Sequence, residues 1–347
     1  MEFKSNIKKV EILIPPDFRP ETQRIEYRED PLTGSKCLIN IKRAQRAKQA
    51  QLATAVSDSI TEGTKEGCFF CPEHIENETP KFPADICAAG RLKKGECTVF
   101  PNLFAFSEYH AVATLSRAHF LDLNQFTPQM LVDNMMACQE WMIAVHSQNK
   151  HAKWPIYIWN HMPPSGASMV HPHVQSLVRE APTAMQEHML AKSWEHLSSN
   201  GSSFWHELIR EEKDIGERYI YSNDSLALIA SYAPRGFREI QFIFNDVCSF
   251  TDLNETQMQD FAYAIVKVLE GYKQMGVGSF NLNMFSGPIG EKTDYYSLNA
   301  KMISRPFPQG VYSSDTGPFE RLQDEWVIEF LPEDVAVKMR GFFEARD

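Results

Sequence analysis

The sequence predicts an α+β chain organised as two similar units in tandem. Three observations carry this. At 347 residues the chain has room for two compact units. Apolar residues switch between the period of strands and the period of helices along its length. The order strand–helix–strand–strand occurs twice, with Leu121-Asp-Leu-Asn124 just ahead of one helix and Thr251-Asp-Leu-Asn254 just ahead of the other. The matching order of elements weighs more than the short string itself.

The elements follow in order. The leader through residue 60 is charged and contains proline, with a turn at Asp30-Pro-Leu-Thr-Gly34 and a short strand in Lys36-Cys-Leu-Ile-Asn-Ile. Residues 60–97 are loop-rich. Strands are expected at Ala111–Leu115 and Ile156–Trp159. Between them lies a helix that Thr127 caps, Pro128 opens, and Leu131, Met135, Cys138, Met142 and Val145 stripe at 3–4-residue spacing. The Met-rich stripe is core packing, not a ligand surface. A strand around His171–Val178 closes the first unit, and residues 181–218, a polar stretch that contains Trp194 and Trp205, form a helical connection.

The second unit repeats the grammar. Its strand Glu239–Phe244 is followed by a helix with Met258, Phe261, Ile265, Val268 and Tyr272 on one face, then by strands at Ser279–Phe285 and around Ser297–Ile303. The Gly-containing loops Pro163-Pro-Ser-Gly-Ala-Ser168 and Ser286-Gly-Pro-Ile-Gly290 occupy corresponding places, and a helix at about Pro332–Glu344 ends the chain. The units are thus 1–180 and 219–347, joined by 181–218.

Composition narrows the function. With 43% hydrophobic, 12% aromatic and 23% charged residues, disordered, collagen-like and coiled-coil classes are excluded. The 35 Lys+Arg against 45 Asp+Glu give a net charge of −10, which argues against nucleic acid or an acidic membrane as partner and leaves a local phosphate site open. No run reaches the roughly 18 apolar residues of a transmembrane helix, and the start lacks the apolar core of a signal peptide. Of the seven cysteines only Cys68 and Cys71 are close together, which fits free thiols in the cytoplasm. All 11 histidines lie between His74 and His206, so any imidazole chemistry belongs to the N-terminal part.

Two strings carry that chemistry. In Gly166-Ala-Ser-Met-Val-His171-Pro-His173-Val-Gln175, a strand would set His171, His173 and Gln175 on one face and Pro172 on the other, at an edge or an irregular point of the sheet. Cys68-Phe-Phe-Cys71-Pro holds two thiols at the spacing of half a tetrahedral zinc site, of a redox pair or of two unliganded buried thiols; for zinc, histidines must supply the rest, with His110, His119 and His171 as candidates. His74, His146, His151, His188, His196 and His206 read as solvated surface groups, His110 as either a site residue or a strand cap.

These residues carry a resemblance. His171-Pro-His173-Val-Gln175 is similar to the His-x-His-x-Gln signature of the galactose-1-phosphate uridylyltransferase family, a branch of the histidine-triad superfamily. Glu26-Tyr-Arg-Glu-Asp-Pro-Leu-Thr-Gly34 followed by Arg43-Ala-Gln-Arg46 resembles the family's N-terminal motif, and Cys68-Phe-Phe-Cys71-Pro with Thr79-Pro80 its zinc knuckle. Asn102-Leu-Phe104, Ser116-Arg-Ala-His119, Asn160 and Gly166-Ala-Ser168 also match in order and spacing. The resemblance spans nearly the whole chain, most closely to about residue 180.

The resemblance implies two histidine-triad-like units, each an antiparallel sheet with packed helices. It implies His173 as the nucleophile that takes a nucleoside monophosphate from a nucleotide donor, and Gln175 as the amide that holds the phosphate, where hydrolases of the superfamily carry a third histidine. Cys68, Cys71, His119 and His171 would hold one structural zinc ion. Asn160, Gly166 and Ser168 would face the diphosphate, Asn102 and Phe104 the nucleoside, and Arg43 and Arg46 phosphate. It further implies a phosphate-bearing small-molecule acceptor and a homodimer whose site is completed across subunits.

The second copy departs from the pattern. Ser297, Asn299 and Lys301 stand where His171, His173 and Gln175 stand in the first, so one nucleophile and no second histidine-ligated metal are expected per chain. Val174 replaces a usual small residue, and Phe319-Glu-Arg-Leu-Gln-Asp-Glu-Trp326 lacks the sugar contacts of hexose-handling relatives. The default activity, uridylyl transfer to a sugar phosphate, therefore competes with two uses of inorganic phosphate as acceptor: ADP-glucose phosphorylase and adenylylsulfate:phosphate adenylyltransferase. A non-catalytic nucleotide-binding protein is the alternative of another class.

Overall fold

The computed structural model describes residues 1–45, 56, 58–309 and 314–344. Three strands open the chain: β1 (Ser5–Ile14), β2 (Arg19–Glu29) and β3 (Lys36–Ile39). The first unit then contributes β4 (Leu92–Lys94), β5 (Cys97–Pro101), β6 (Tyr109–Thr114), helix α1 (Pro128–Gln148), β7 (Trp154–His161) and β8 (His173–Arg179). Helices α2 (Ala184–Asn200) and α3 (Phe204–Ile215) form the connection. The second unit has β9 (Tyr219–Ser222), β10 (Leu226–Ala230), β11 (Phe237–Phe244), α4 (Glu255–Gln274), β12 (Phe280–Phe285), β13 (Asn299–Ser304), β14 (Glu325–Ile328) and α5 (Pro332–Glu344).

The helix ends obey local chemistry. Thr127 Oγ1 accepts the Met130 N–H at 3.4 Å and Asn254 Oδ1 accepts the Gln257 N–H at 2.9 Å, each satisfying an otherwise orphaned donor of the first turn. The expected stripes are buried: Met135, Cys138, Met142 and Val145 on α1, and Phe261, Val268 and Tyr272 on α4, are fully enclosed. No helix among the described residues is long and apolar enough to cross a membrane.

The two units share one sheet. Its ten strands run β4-β5-β6-β8-β7-β12-β13-β11-β10-β9, every pair antiparallel, and the order reads the same outward from the β7–β12 junction in both directions. The duplication expected from the sequence is therefore present as two five-stranded halves. At the junction Phe280 lies opposite His161 and Asn281 opposite Asn160. One face of this sheet packs α1, α4 and α5 in a continuous core that includes Trp141, Trp159, Tyr157, Phe242 and Phe280. Buried Asn134 ties α1 to the sheet, donating to the carbonyls of Ala113 (3.2 Å) and Thr114 (3.1 Å) and accepting the Tyr157 hydroxyl at 2.8 Å.

The leader behaves differently from its place in the sequence. The strands β1, β2 and β3 form a four-stranded sheet completed by β14, which runs parallel to β3. Cys37 and Ile39 thus pack with Tyr232, Ala233 and Ile328 of the second unit. A buried ionic cluster fastens the joint. Glu333 at the start of α5 accepts from Arg28 at 2.9 Å and from Arg218 at 3.1 Å, while Glu26 and Glu212 satisfy the other edges of the two guanidiniums at 2.9 and 3.0 Å. Both guanidiniums also lie over the Tyr232 ring.

One expected strand starts late. β8 begins at His173, not at His171, and it is an interior strand between β6 and β7. Pro172 is tolerated because it precedes the strand, where its carbonyl accepts the Leu115 N–H at 2.9 Å.

Removing the shared carboxylate would leave two buried guanidiniums short of a partner. Glu333→Ala is expected to lower stability by about 3 kcal/mol, read as a lower urea midpoint with an unchanged slope.

Candidate active site

The face of the ten-stranded sheet opposite α1, α4 and α5 carries the site. His173 at the start of β8 lies opposite Thr114, and Gln175 lies opposite Val112 on one side and Ile158 on the other. Trp159 pairs with Val174, so continuing the register by one pair sets Asn160 beside His173. After β7 the chain turns sharply. Met162 has φ 68°, a strained value for a residue with a side chain, and Gly166 has φ 91°, which only glycine adopts readily. This turn brings Ser168 and Met169 back into a cleft of about 190 Å³ with His173, Gln175, Asn102, Phe104 and Phe70.

His173 is 6% exposed, and its Nδ1 lies 2.8 Å from the His171 carbonyl oxygen. A carbonyl only accepts, so Nδ1 carries the proton and Nε2 carries the lone pair. Burial lowers the His173 pKa, partly opposed by that hydrogen bond, and keeps the ring neutral. Phe70 packs edge-on at 5.2 Å from this ring and at 6.0 Å from His171.

Gln175 is oriented by His110, which the sequence left undecided. The Phe106 N–H points at His110 Nδ1 at 3.4 Å, and His110 Nε2 lies 2.9 Å from Gln175 Oε1 and 3.2 Å from Asn102 Nδ2. Gln175 lines the cleft.

Beside this cleft lies the donor set expected for a metal. The ligand atoms of Cys68, Cys71, His119 and His171 all fall within 4.8 Å of one another, and all four residues are buried. The Cys71 sulfur is 3.5 Å from His119 Nδ1 and 3.7 Å from His171 Nδ1, and Cys68 is 3.9 Å from His171 Nδ1. Edges of this length fit four ligands about one tetrahedral ion with bonds of about 2.0–2.3 Å. The outer nitrogens are held as ligand histidines require: His171 Nε2 at 2.9 Å from the Ser116 carbonyl and His119 Nε2 at 2.9 Å from Thr64 Oγ1. Burial and the neighbouring Cys68 push the Cys71 thiol up to about 12, and burial pulls His171 down to about 4. Neutral imidazoles and two crowded thiols suit a cation, which alone makes paired thiolates favourable there. His110, the third candidate, lies at Gln175 instead.

The second unit also reaches the site. Asn160 Oδ1 accepts from Asn281 Nδ2 at 2.7 Å, and that nitrogen also donates to the Ser165 carbonyl at 2.9 Å. Asn281 Oδ1 accepts from Arg305 at 2.8 Å, and Arg305 is clamped by Asp315 at 2.8 Å. The chain of donors and acceptors leaves one orientation for the Asn160 amide, whose NH₂ group has no hydrogen-bond partner among the described residues. Buried His161 was not singled out in the sequence. It stacks on Phe280 at 5.0 Å and is pulled down to about 3 by burial, so it is a neutral core ring. Arg43 is exposed in a turn after β3 and is not among the residues lining the His173 cleft, while Arg46 lies outside the described residues.

No family model matches the chain. An uncharacterized protein of Archaeoglobus fulgidus is 30% identical over 343 residues, covering 98% of each chain. Among solved structures, ADP-glucose phosphorylase from Arabidopsis thaliana with bound ADP-glucose matches with a TM-score of 0.71 at 18% identity, over 91% of this chain and 98% of that one. A GalT-like protein of the same plant gives 0.68 at 17% over 90% and 98%, and a uridylyltransferase gives 0.65 at 17% over 92% and 99%. At these identities the likeness to the solved structures is one of fold.

The four-ligand cluster makes a quantitative expectation. The purified chain should carry one metal ion per chain by elemental analysis, and Cys71→Ser or His119→Ala should lower occupancy severalfold and melting temperature with it.

Proposed function

We propose that this chain, which belongs with the Archaeoglobus fulgidus protein to one family and has the fold of the galactose-1-phosphate uridylyltransferases, is a nucleotidyltransferase working through His173. The observation that carries the reading is the His173 tautomer. Nδ1–H is bound to the His171 carbonyl, which leaves the Nε2 lone pair as the nucleophile.

The reaction takes two displacements. Nε2 attacks the α-phosphorus of a nucleotide-sugar or similar donor; the N–P bond forms as the P–O bond to the leaving phosphate breaks. The ring becomes cationic, and the Nδ1–H bond to the His171 carbonyl strengthens as it does. An oxygen of the phosphate-bearing acceptor then attacks the same phosphorus, the N–P bond breaks, and the neutral imidazole returns. The NH₂ groups of Gln175 and Asn160 and the hydroxyl of Ser168 are suited to the non-bridging oxygens, because they donate without competing as bases. Phe104 and Asn102 border the space for the nucleoside.

Zinc is the ion the two thiols and two imidazoles fit best, and with four protein ligands its contribution is structural. The residues do the positioning: His171, held by its side chain, offers the carbonyl that aims His173.

A homodimer is supported by two features of one chain. Phe69, Leu103, Phe104 and Phe106 are exposed around the cleft, and the β1–β2 hairpin exposes Ile7, Val10, Ile12 and Leu13. Arg43 standing away from its own cleft fits a site completed by a second copy. A cytoplasmic setting fits the seven free cysteines. Inorganic phosphate as acceptor is the second reading, favoured by the departure of Phe319–Trp326 from hexose contacts.

Incubation with UDP-glucose, ADP-glucose or adenylylsulfate, followed by intact mass measurement, tests the reading. One donor should leave a nucleoside-monophosphate adduct that is absent in His173→Ala; no adduct and no exchange with any of the three would instead favour a non-catalytic nucleotide-binding protein. The Asn160 orientation has its own check. Asn281→Ala and Arg305→Gln should each lower kcat about tenfold with the adduct still forming at His173, an effect of about 1.4 kcal/mol on the barrier.

A further inference from the structure

We infer that the second unit has kept a ligand pocket of its own, at the duplicated position of the first cleft, and that its occupant is an uncharged nucleoside. The pocket does not depend on catalysis at His173, although its ligand class rests on reading the first cleft as a nucleoside site.

The two halves correspond residue by residue across the sheet. In the first, Phe100, Val112, Gln175 and Ile158 lie in one row of paired positions. In the second, the same row is Ile229, Gln241, Lys301 and Asn283. The polar pair recurs too: His110 Nε2 and Gln175 Oε1 are 2.9 Å apart, and Glu239 Oε1 and Lys301 Nζ are 2.9 Å apart at the matching positions. Above the second row lies a cavity of about 370 Å³, nearly twice the first, roofed by Met189, Phe204, Trp205 and Leu208 of α2 and α3. A volume of this size is that of a small-molecule site.

The floor calls for a ligand. Gln241 is 6% exposed and its amide has no hydrogen-bond partner among the described residues, although it lines the cavity. Asn283 beside it also has none among them. Both amides open on the cavity, so their donors and acceptors are available to a ligand's edge or to ordered water.

The chemistry of the walls selects the class. Aromatic and aliphatic side chains above, with amide donors and acceptors below, suit a flat heterocycle read along its edge. Charges are already matched, Lys301 by Glu239 and Arg235 by Asp324 at 2.9 Å, so no cation is left over for a phosphate. The phosphate end is also closed. Asn299, at the place of His173, donates to the Ser297 carbonyl at 3.1 Å, as His173 donates to that of His171, and to the Tyr296 hydroxyl at 3.2 Å.

Equilibrium dialysis of the full chain with labelled adenosine or uridine, with and without excess AMP or UMP, tests this. The expected result is two nucleosides per chain, one displaced by the monophosphate and one not. Gln241→Leu should weaken the undisplaced one about tenfold and leave the other unchanged. Asn283→Ala, half-buried and less exposed to misfolding, should do the same, with melting curves showing both variants folded. One nucleoside per chain, wholly displaced by the monophosphate, would overturn the proposal while leaving the first cleft intact. Unaltered second-site affinity in both variants would overturn it too. No nucleoside at either site would overturn it together with the nucleoside reading of the first cleft, while adduct formation at His173 is scored separately.

Discussion

The site depends on one residue doing two things. The His171 side chain is caught among Cys68, Cys71 and His119, while its carbonyl fixes the proton of His173. The first contact immobilises the backbone that makes the second. Because Pro172 separates the two histidines and β8 begins only at His173, the carbonyl is free of the sheet ladder and can point at the ring. Without this acceptor at Nδ1 the His173 tautomer would be unset, and the Nε2 lone pair would not be fixed in the cleft.

The second unit is not passive. It shares the sheet, so β12 sits directly beside β7, and Asn281 and Arg305 hold the Asn160 amide in place. It also anchors the leader through β14 and the Arg28–Glu333–Arg218 cluster. Duplication produced two equivalent rows on one sheet face. Replacement of histidine by asparagine and of the His110–Gln175 pair by Glu239–Lys301 then closed the phosphate end of one row and left a polar floor beneath an apolar roof.

How much was legible in the sequence differs by level. The main helices, the cap at Thr127 and half of the strands follow from local periodicity, which depends on neighbours two to four residues away, whereas β1, β2, β4, β5, β9, β10 and β14 were not read from it. His-x-His-x-Gln and the Cys68/Cys71 pair were visible as spacings. His161 was invisible, because a neutral histidine stacked in a core has no pattern of its own, and His110 was ambiguous until Gln175 was found 2.9 Å away. The start of β8 shifted by two residues because Pro172 cannot donate to a ladder, a constraint read as an edge or an irregular point of the sheet and met by a proline that precedes an interior strand.

By itself the sequence determined where the main helices and half of the strands lie, that the order strand–helix–strand–strand occurs twice, and that every histidine precedes the second unit. The tertiary structure alone decided that the two units form a continuous sheet, that the leader joins the second unit, that His110 lies at Gln175, and that Asn281 holds Asn160. Each of these is a pairing between segments distant in sequence. Register between such strands is set by which faces can be buried together and which polar groups can find partners, and no local pattern specifies that.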